Sequence, residues 1–189
     1  MPPKAKISKE KIAETAFEII RRDGYEALNA RALAVELGTS TMPLFHHYES
    51  MEEIKKAAVA LATEKYTSYM REGMTDPLPF KGVGRAYIRF AQDEPELFRM
   101  AFMMPTSEIP GLSETDPNKE SVLNVVSDIT GGSRELGEDM LQTMWLTVHG
   151  IATLAVTGKA RFSDEEISRL LSRVFKGLKL VMETEDNNG

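Results

Sequence analysis

The sequence contains no cysteine. That excludes a disulfide framework, a thiolate nucleophile and a thiolate metal site. No apolar run reaches the roughly 18 residues of a membrane span, and the N-terminus MPPKAKISKEK lacks the apolar stretch of a signal peptide. A soluble, cytoplasmic protein is the expectation. No segment of convincing length alternates with the period of a strand, and no internal repeat occurs. Chemistry-bearing constellations are missing too. There is no nucleophile–base set, and GVGRAY (82–87) has neither the spacing nor the Lys-Thr end of a phosphate loop. Neither a cofactor nor a catalytic site is expected.

What is present is apolar mass, unevenly charged. The 189 residues are 42% hydrophobic, enough for one or two compact domains with ample core. The net charge of −6 is at first sight wrong for a protein that meets a polyanion. Its distribution says otherwise. Residues 1–60 hold nine basic and nine acidic side chains, and the remainder 14 against 20. Lys4, Lys6, Lys9 and Lys11 stand against Glu10 alone in residues 1–11. A basic arm on a neutral small domain, followed by an acidic larger one, fits a two-part protein with one end aimed at a polyanion; an ordinary solvated terminus fits equally.

Almost every segment reads as helix. Ser8 can cap a helix over 9–23, in which Ile12, Ala16, Phe17 and Ile20 recur at helical spacing. Asp23-Gly24 stops it. Asn29 can cap a second helix over 30–37 that ends at Gly38, and Ser40 a short third over 41–47, where Pro43 falls harmlessly in the first turn. Ser50 starts a fourth over 51–73, with Glu52 and Glu53 favourable for its dipole. Further helices are predicted at 80–93, 95–104, 118–130, 134–158 and 163–184, about nine in all, with a loop over 104–117 and a frayed tail from 183. The last two long helices carry apolar ladders (Leu141, Met144, Val148, Ile151, Ala155; Ile167, Leu171, Val174, Phe175, Leu178, Val181) and extra apolar residues off them. A helix apolar on more than one face contacts more than its own core, which points to a homodimer made by pairing these two.

Helix, break with glycine, short helix is the order of a helix-turn-helix, whose short element lies in the major groove. Leu44 would point into the core with Phe45 and Tyr48 beside it, leaving Thr41, Met42, Pro43 and His47 outward to meet base edges, thymine methyls and phosphate. His46 and His47, as neighbours on a helix, point about 100° apart and cannot chelate one ion well. No metal is expected.

Residues 7–54 resemble the DNA-binding domain of the TetR/AcrR transcriptional repressors. That domain reads "F…G(Y/F)", then "LA…(A/L)GVS", then "(T/P)LY.HF..KE.L". Phe17, Gly24, Tyr25, Leu33, Ala34, Gly38, Ser40, Leu44, Phe45, His47, Tyr48, Glu52, Glu53 and Ile54 fall on those positions without a gap. The resemblance implies DNA contacts from Asn29, Ala30, Arg31, Thr41, Met42, Pro43, Phe45 and His47, with Arg31 suited to guanine and His47 to a phosphate. Two positions depart. Met51 stands where the family has a phosphate-reaching lysine, which Lys55 or the basic arm would replace, and Phe45 where it has tyrosine. Both predict a smaller salt slope than the family norm.

The resemblance also implies that the rest of the chain binds a small ligand and dimerises, so that residues 1–50 form the DNA-binding domain and 51–189 the ligand-binding and dimerisation domain. The stretches AYIRFAQDEPELFRMAFM (86–103) and WLTVHG (145–150) resemble a C-terminal subtype known by a Trp-His-Gly motif. Trp145 and His149, four apart, share a helix face. The eleven methionines suit a pocket for varied hydrophobic ligands. Tyr66, Met70, Tyr87, Phe90, Phe102, Met103, Trp145 and His149 are the predicted pocket residues; ordinary core is the competing reading for each. The function so implied is a ligand-responsive repressor, released from a pseudo-palindromic double-stranded operator by a small hydrophobic molecule. An all-α small-molecule-binding or enzymatic bundle without DNA contact is the alternative, and a helical interaction protein a third.

Overall fold

The computed structural model describes residues 7–127, 129–131 and 133–186, with side chains for all of these except Glu183, Glu185 and Asp186. Lys4 and Lys6 of the basic arm and the last three residues of the tail lie outside the described residues. Eight α-helices are found among the described residues: α1 (Lys9–Asp23), α2 (Ala30–Glu36), α3 (Met51–Met74), α4 (Pro79–Asp93), α5 (Pro95–Phe102), α6 (Lys119–Ser127), α7 (Arg134–Val156) and α8 (Asp164–Asp186). Short 3-10 turns occur at Tyr25–Ala27, Leu44–His46 and Thr106–Glu108. The fold is all-α, as the periodicity predicts. The end of α8 at Asp186 carries helix into the stretch expected to fray.

The helices group into two compact units. The first comprises Met1–Lys65 with Glu94–Glu114, the second Tyr66–Asp93 with Thr115–Gly189, and α3 belongs to both. The first unit is thus larger than the 1–50 segment that carries the helix-turn-helix.

In the first unit, Ser8 caps α1 by accepting from the amide of Lys11 at 3.1 Å. Ile12, Ala16 and Ile20, four apart, are fully buried. Helix α5 packs against α1, and its Leu97 and Phe98 are fully buried. Charge locks the same contact. Glu94, just ahead of α5, is a buried carboxylate that accepts from Arg21 Nε at 2.6 Å and Nη2 at 2.8 Å, with Lys65 Nζ 3.7 Å away. A buried carboxylate needs such partners, and the two-pronged arginine geometry is the strongest available. Periodicity could not reveal this, because the pairing spans 73 residues.

The second unit is built on α4, which packs most extensively on α7 and also meets α6 and α8. Phe80, Val83, Tyr87, Ile88 and Phe90 bury one broad face of α4. Its start crosses the end of α3 closely: a Cβ on Gly82 would lie 2.2 Å from the carbonyl oxygen of Gly73, a distance no side chain tolerates. From α7, Met144, Val148 and Ile151 enter the core, and from α8, Ile167 and Leu171. Of the predicted ladders, these five residues are core, while Leu141, Ala155, Val174, Phe175 and Leu178 are half-buried. Leu146 and Leu154 of α7 and Leu180 and Val181 of α8 remain exposed.

Candidate functional site

The helix-turn-helix is assembled from local chemistry. Asn29 Oδ1 accepts from the amides of Arg31 (3.1 Å) and Ala32 (3.0 Å), which starts α2. Its Nδ2 donates to the Ala27 carbonyl at 3.2 Å, so this predicted DNA contact is also the cap of its helix. At the far end, the Gly38 amide donates to Val35 O and the Thr39 amide to Ala34 O. These two bonds close α2 as a Schellman turn, with Gly38 at φ +63. Glycine is required there because an L side chain at positive φ is strained.

The segment that follows departs from the predicted helix over 41–47. It closes instead on i→i+3 bonds: Leu44 N to Thr41 O, Phe45 N to Met42 O and His47 N to Leu44 O. Pro43 precedes the 3-10 turn, and no side chain caps it, so Ser40 is not the cap expected of it. The reason is physical. So short a run gains too few bonds to offset helix nucleation.

Tertiary contacts hold the segment instead. Leu44 is fully buried, and Tyr48, also buried, donates its hydroxyl to Lys9 O at 3.2 Å. Phe45, expected beside Leu44, is 43% exposed and Met42 67% exposed. Thr41 is exposed, and Pro43 and His47 are half-buried. Arg31 is exposed and forms no ion pair among the described residues. The face so presented is mixed, with Met42 and Phe45 as exposed apolar residues and Arg31, Thr41 and His46 as exposed polar ones. Positive charge nearby is partly engaged: Lys55 Nζ lies 4.5 Å above the Tyr25 ring and Lys9 Nζ 4.7 Å above that of Tyr48. At the start of α3, Ser50 Oγ accepts from Glu53 N at 3.2 Å, and Glu53 Oε2 accepts from Glu49 N at 2.9 Å. Beside Met51, a carboxylate already covers the positive end of the helix.

A second constellation lies in the second unit. Tyr66 from α3, Tyr87 and Phe90 from α4, and Trp145 and His149 from α7 come together. The Tyr66 ring centroid is 5.2 Å from that of Phe90 and 6.1 Å from that of Tyr87, the latter edge-on. Trp145 stacks on His149 at 4.9 Å. Tyr87 Oη and His149 Nδ1 share a hydrogen bond of 3.0 Å. Burial, then the charge of Asp116, pushes both phenols above their ordinary pKa, while burial pulls the imidazole below its own. All three are neutral near pH 7. Met70 is buried one turn beyond Tyr66. Phe102 and Met103 belong to the first unit, where Phe102 packs on Phe98 at 5.0 Å and Met103 is exposed.

The sequence reading missed Asp116. Its Oδ2 accepts from the Tyr66 hydroxyl at 2.5 Å and its Oδ1 from the Asn118 amide at 2.7 Å. Asp-Pro-Asn ahead of a helix reads as a turn, and nothing local reveals that its carboxylate meets a tyrosine fifty residues earlier.

Residues 12–58 match the family model described as bacterial regulatory proteins of the tetR family, and residues 80–178 the one described as the tetracyclin repressor-like C-terminal domain. An uncharacterised HTH-type transcriptional regulator of Mycobacterium tuberculosis is 26% identical over 159 residues, covering 82% of this chain and 72% of that protein. A TetR family transcription regulator from Marinobacter aquaeolei superposes with TM-score 0.58 at 15% identity, over 87% of this chain and 92% of that one. A Pseudomonas aeruginosa protein classed as a transcriptional regulator gives TM-score 0.63 at 15% identity, over 89% and 88%. At such identities the two structures speak for the fold alone. Among the described residues no helix is long and apolar enough to cross a membrane. With both family models matched in order, the C-terminal one over more than half its length, the chain belongs to the TetR family of DNA-binding transcriptional regulators.

Proposed function

We propose that the protein is a non-enzymatic repressor, acting in the cytoplasm, that leaves its operator when a small hydrophobic effector binds. Residues 1–50 read DNA, and the remainder binds the effector and dimerises. The observation that carries the DNA half is the outward set on the recognition segment, with Leu44 as its anchor in the core. Arg31 grips guanine, Thr41 bonds a base edge or phosphate, Met42, Pro43 and Phe45 pack on thymine methyls, and His47 donates to a phosphate. Asn29 and Ala30 meet the backbone at the start of α2.

The exposed apolar residues of α7 and α8 form the seam of a homodimer. Leu146, Gly150 and Leu154 recur every fourth residue, and nothing lies within 4 Å of a Cβ placed on Gly150 or Gly177, which leaves room for a second copy. The dimer must present its two reading segments about 34–36 Å apart to reach successive major grooves. An effector that favours another spacing empties the operator. A coupling of about 1–3 kcal/mol lowers DNA affinity roughly 5–150-fold. The effector site centres on Tyr66, Tyr87, Phe90, Trp145 and His149, and α3, shared by both units, is the lever.

Selection of bound sequences from random DNA supplies the operator. Arg31→Ala with Thr41→Ala is then expected to abolish sequence-specific binding while helicity is retained; specific binding that persists unchanged refutes this reading face. Leu146→Glu with Leu180→Glu is expected to sediment as a monomer at micromolar concentration, and a variant that stays dimeric refutes the seam.

A further inference from the structure

We propose that Met42 is a reversible oxidation site: a peroxide converts its thioether to the sulfoxide, and the protein then leaves its operator without any effector. This rests on the reading face proposed above, which sets Met42 against the bases.

The first support is access. Oxidation of sulfur follows exposure, and the chain has no cysteine to consume a peroxide first. Of the ten methionines among the described residues, Met70, Met100, Met140 and Met144 are buried, and Met51, Met74, Met104 and Met182 are half-buried. The other two, Met42 and Met103, are 67% and 42% exposed. The turn holds Met42 in that place. Its carbonyl accepts from the Phe45 amide at 3.2 Å, while Leu44 and Tyr48 take the buried positions of the segment.

The second support is position. Met42 and Phe45 supply the exposed apolar part of the reading face. A methionine side chain packs on a thymine methyl as a flexible apolar group. The sulfoxide is polar and chiral, and its oxygen accepts hydrogen bonds but donates none. Against a methyl group that oxygen loses water and gains no donor, which disfavours the complex. In the free protein the same oxygen is solvated, so oxidation costs the fold little. Met103 closes the end of α5 and is no predicted DNA contact, which makes it an internal comparison.

The step balances. A sulfur lone pair attacks one peroxide oxygen, an S–O bond forms and the O–O bond breaks. The departing hydroxide takes up the proton of the sulfur-bound hydroxyl and leaves as water. Sulfur gives up two electrons and the peroxide accepts them. Methionine sulfoxide reductases, one per epimer, reverse the change.

The full-length protein is treated with hydrogen peroxide, alone and with an excess of selected operator. Sulfoxide at each methionine is read by mass spectrometry of proteolytic peptides, and operator affinity by anisotropy, with helicity recorded alongside. Met42 is expected to oxidise first, and its oxidised form to bind operator at least about tenfold more weakly. Reductase treatment is expected to restore the affinity. In Met42→Leu, which has no sulfur at this position, the affinities before and after peroxide are expected to agree within about twofold, whatever the starting value. Met103→Leu is expected to keep the full loss. A loss that persists in Met42→Leu overturns the proposal, as does a Met42 sulfoxide that binds operator within about threefold of the reduced protein. Bound operator separates this failure from failure of the reading face. Operator that slows oxidation of Met42 but not of Met103 upholds the face, whatever the sulfoxide then does to affinity. Operator that leaves Met42 oxidising at its free rate refutes the face at this residue, and the oxidation proposal falls with it.

Discussion

Arg21→Met removes the guanidinium that clamps Glu94 while keeping much of the side-chain volume. Removing one partner of a buried ion pair costs about 3–5 kcal/mol, because the other charge is left uncompensated. Two features reduce that figure here. Lys65 Nζ stays 3.7 Å from Oε1, and the Arg21 side chain is 40% exposed, so water reaches the gap. The expected cost is therefore about 2–3 kcal/mol. For a chain of this length that corresponds to a fall in Tm of roughly 4–12 °C. Glu94→Gln in the same background removes the orphaned charge and leaves an amide that Lys65 and water can satisfy. The double variant is expected to recover at least about half of the loss. Thermal and urea unfolding followed by circular dichroism measure all three proteins. A single variant within about 0.5 kcal/mol of the parent, or a double variant no better than the single, would refute the claim that this clamp holds α5 to α1.

Met51→Lys restores a phosphate-reaching ammonium in each protomer. The slope of log K against log salt for operator binding is expected to steepen by about 0.9 per added phosphate contact, or roughly 1.8 per dimer; anisotropy titrations between 50 and 200 mM salt would expose an unchanged slope. Leu44→Ala is expected to cost about 2–5 kcal/mol and to weaken operator binding beyond the loss of folded protein, since Leu44 anchors the reading segment; denaturant melts beside operator titrations check both. Gly38→Ala is expected to cost about 1–2 kcal/mol, because the added methyl meets open space but is held at positive φ; a neutral effect in the same melts contradicts the strain argument. Burial holds the His149 pKa below its ordinary value. The unfolded chain then binds more protons as pH falls through the ordinary histidine range, so this residue makes the protein less stable there. His149→Gln is expected to flatten that part of the stability profile between pH 7.5 and 5.5, and a profile unchanged in slope counts against it.

The sequence determined the helices, their order and the family, because these depend on periodicity, capping residues and glycine placement within a few positions of one another. Ser8, Asn29 and Ser50 cap the helices that they mark in the sequence, and Gly38 turns where a glycine was needed. Tertiary structure decided the rest. The reading segment lacks the hydrogen bonds to be a helix by itself, and its shape is set by Leu44 and Tyr48 in the core. Phe45 and Met42 are exposed because those two anchors leave no other side for them. The Arg21–Glu94 clamp and the meeting of Asp116 with Tyr66 join residues 73 and 50 positions apart. Charge pairs and buried carboxylates leave no periodic trace, since their partners are chosen by the folded chain and not by its neighbours in sequence.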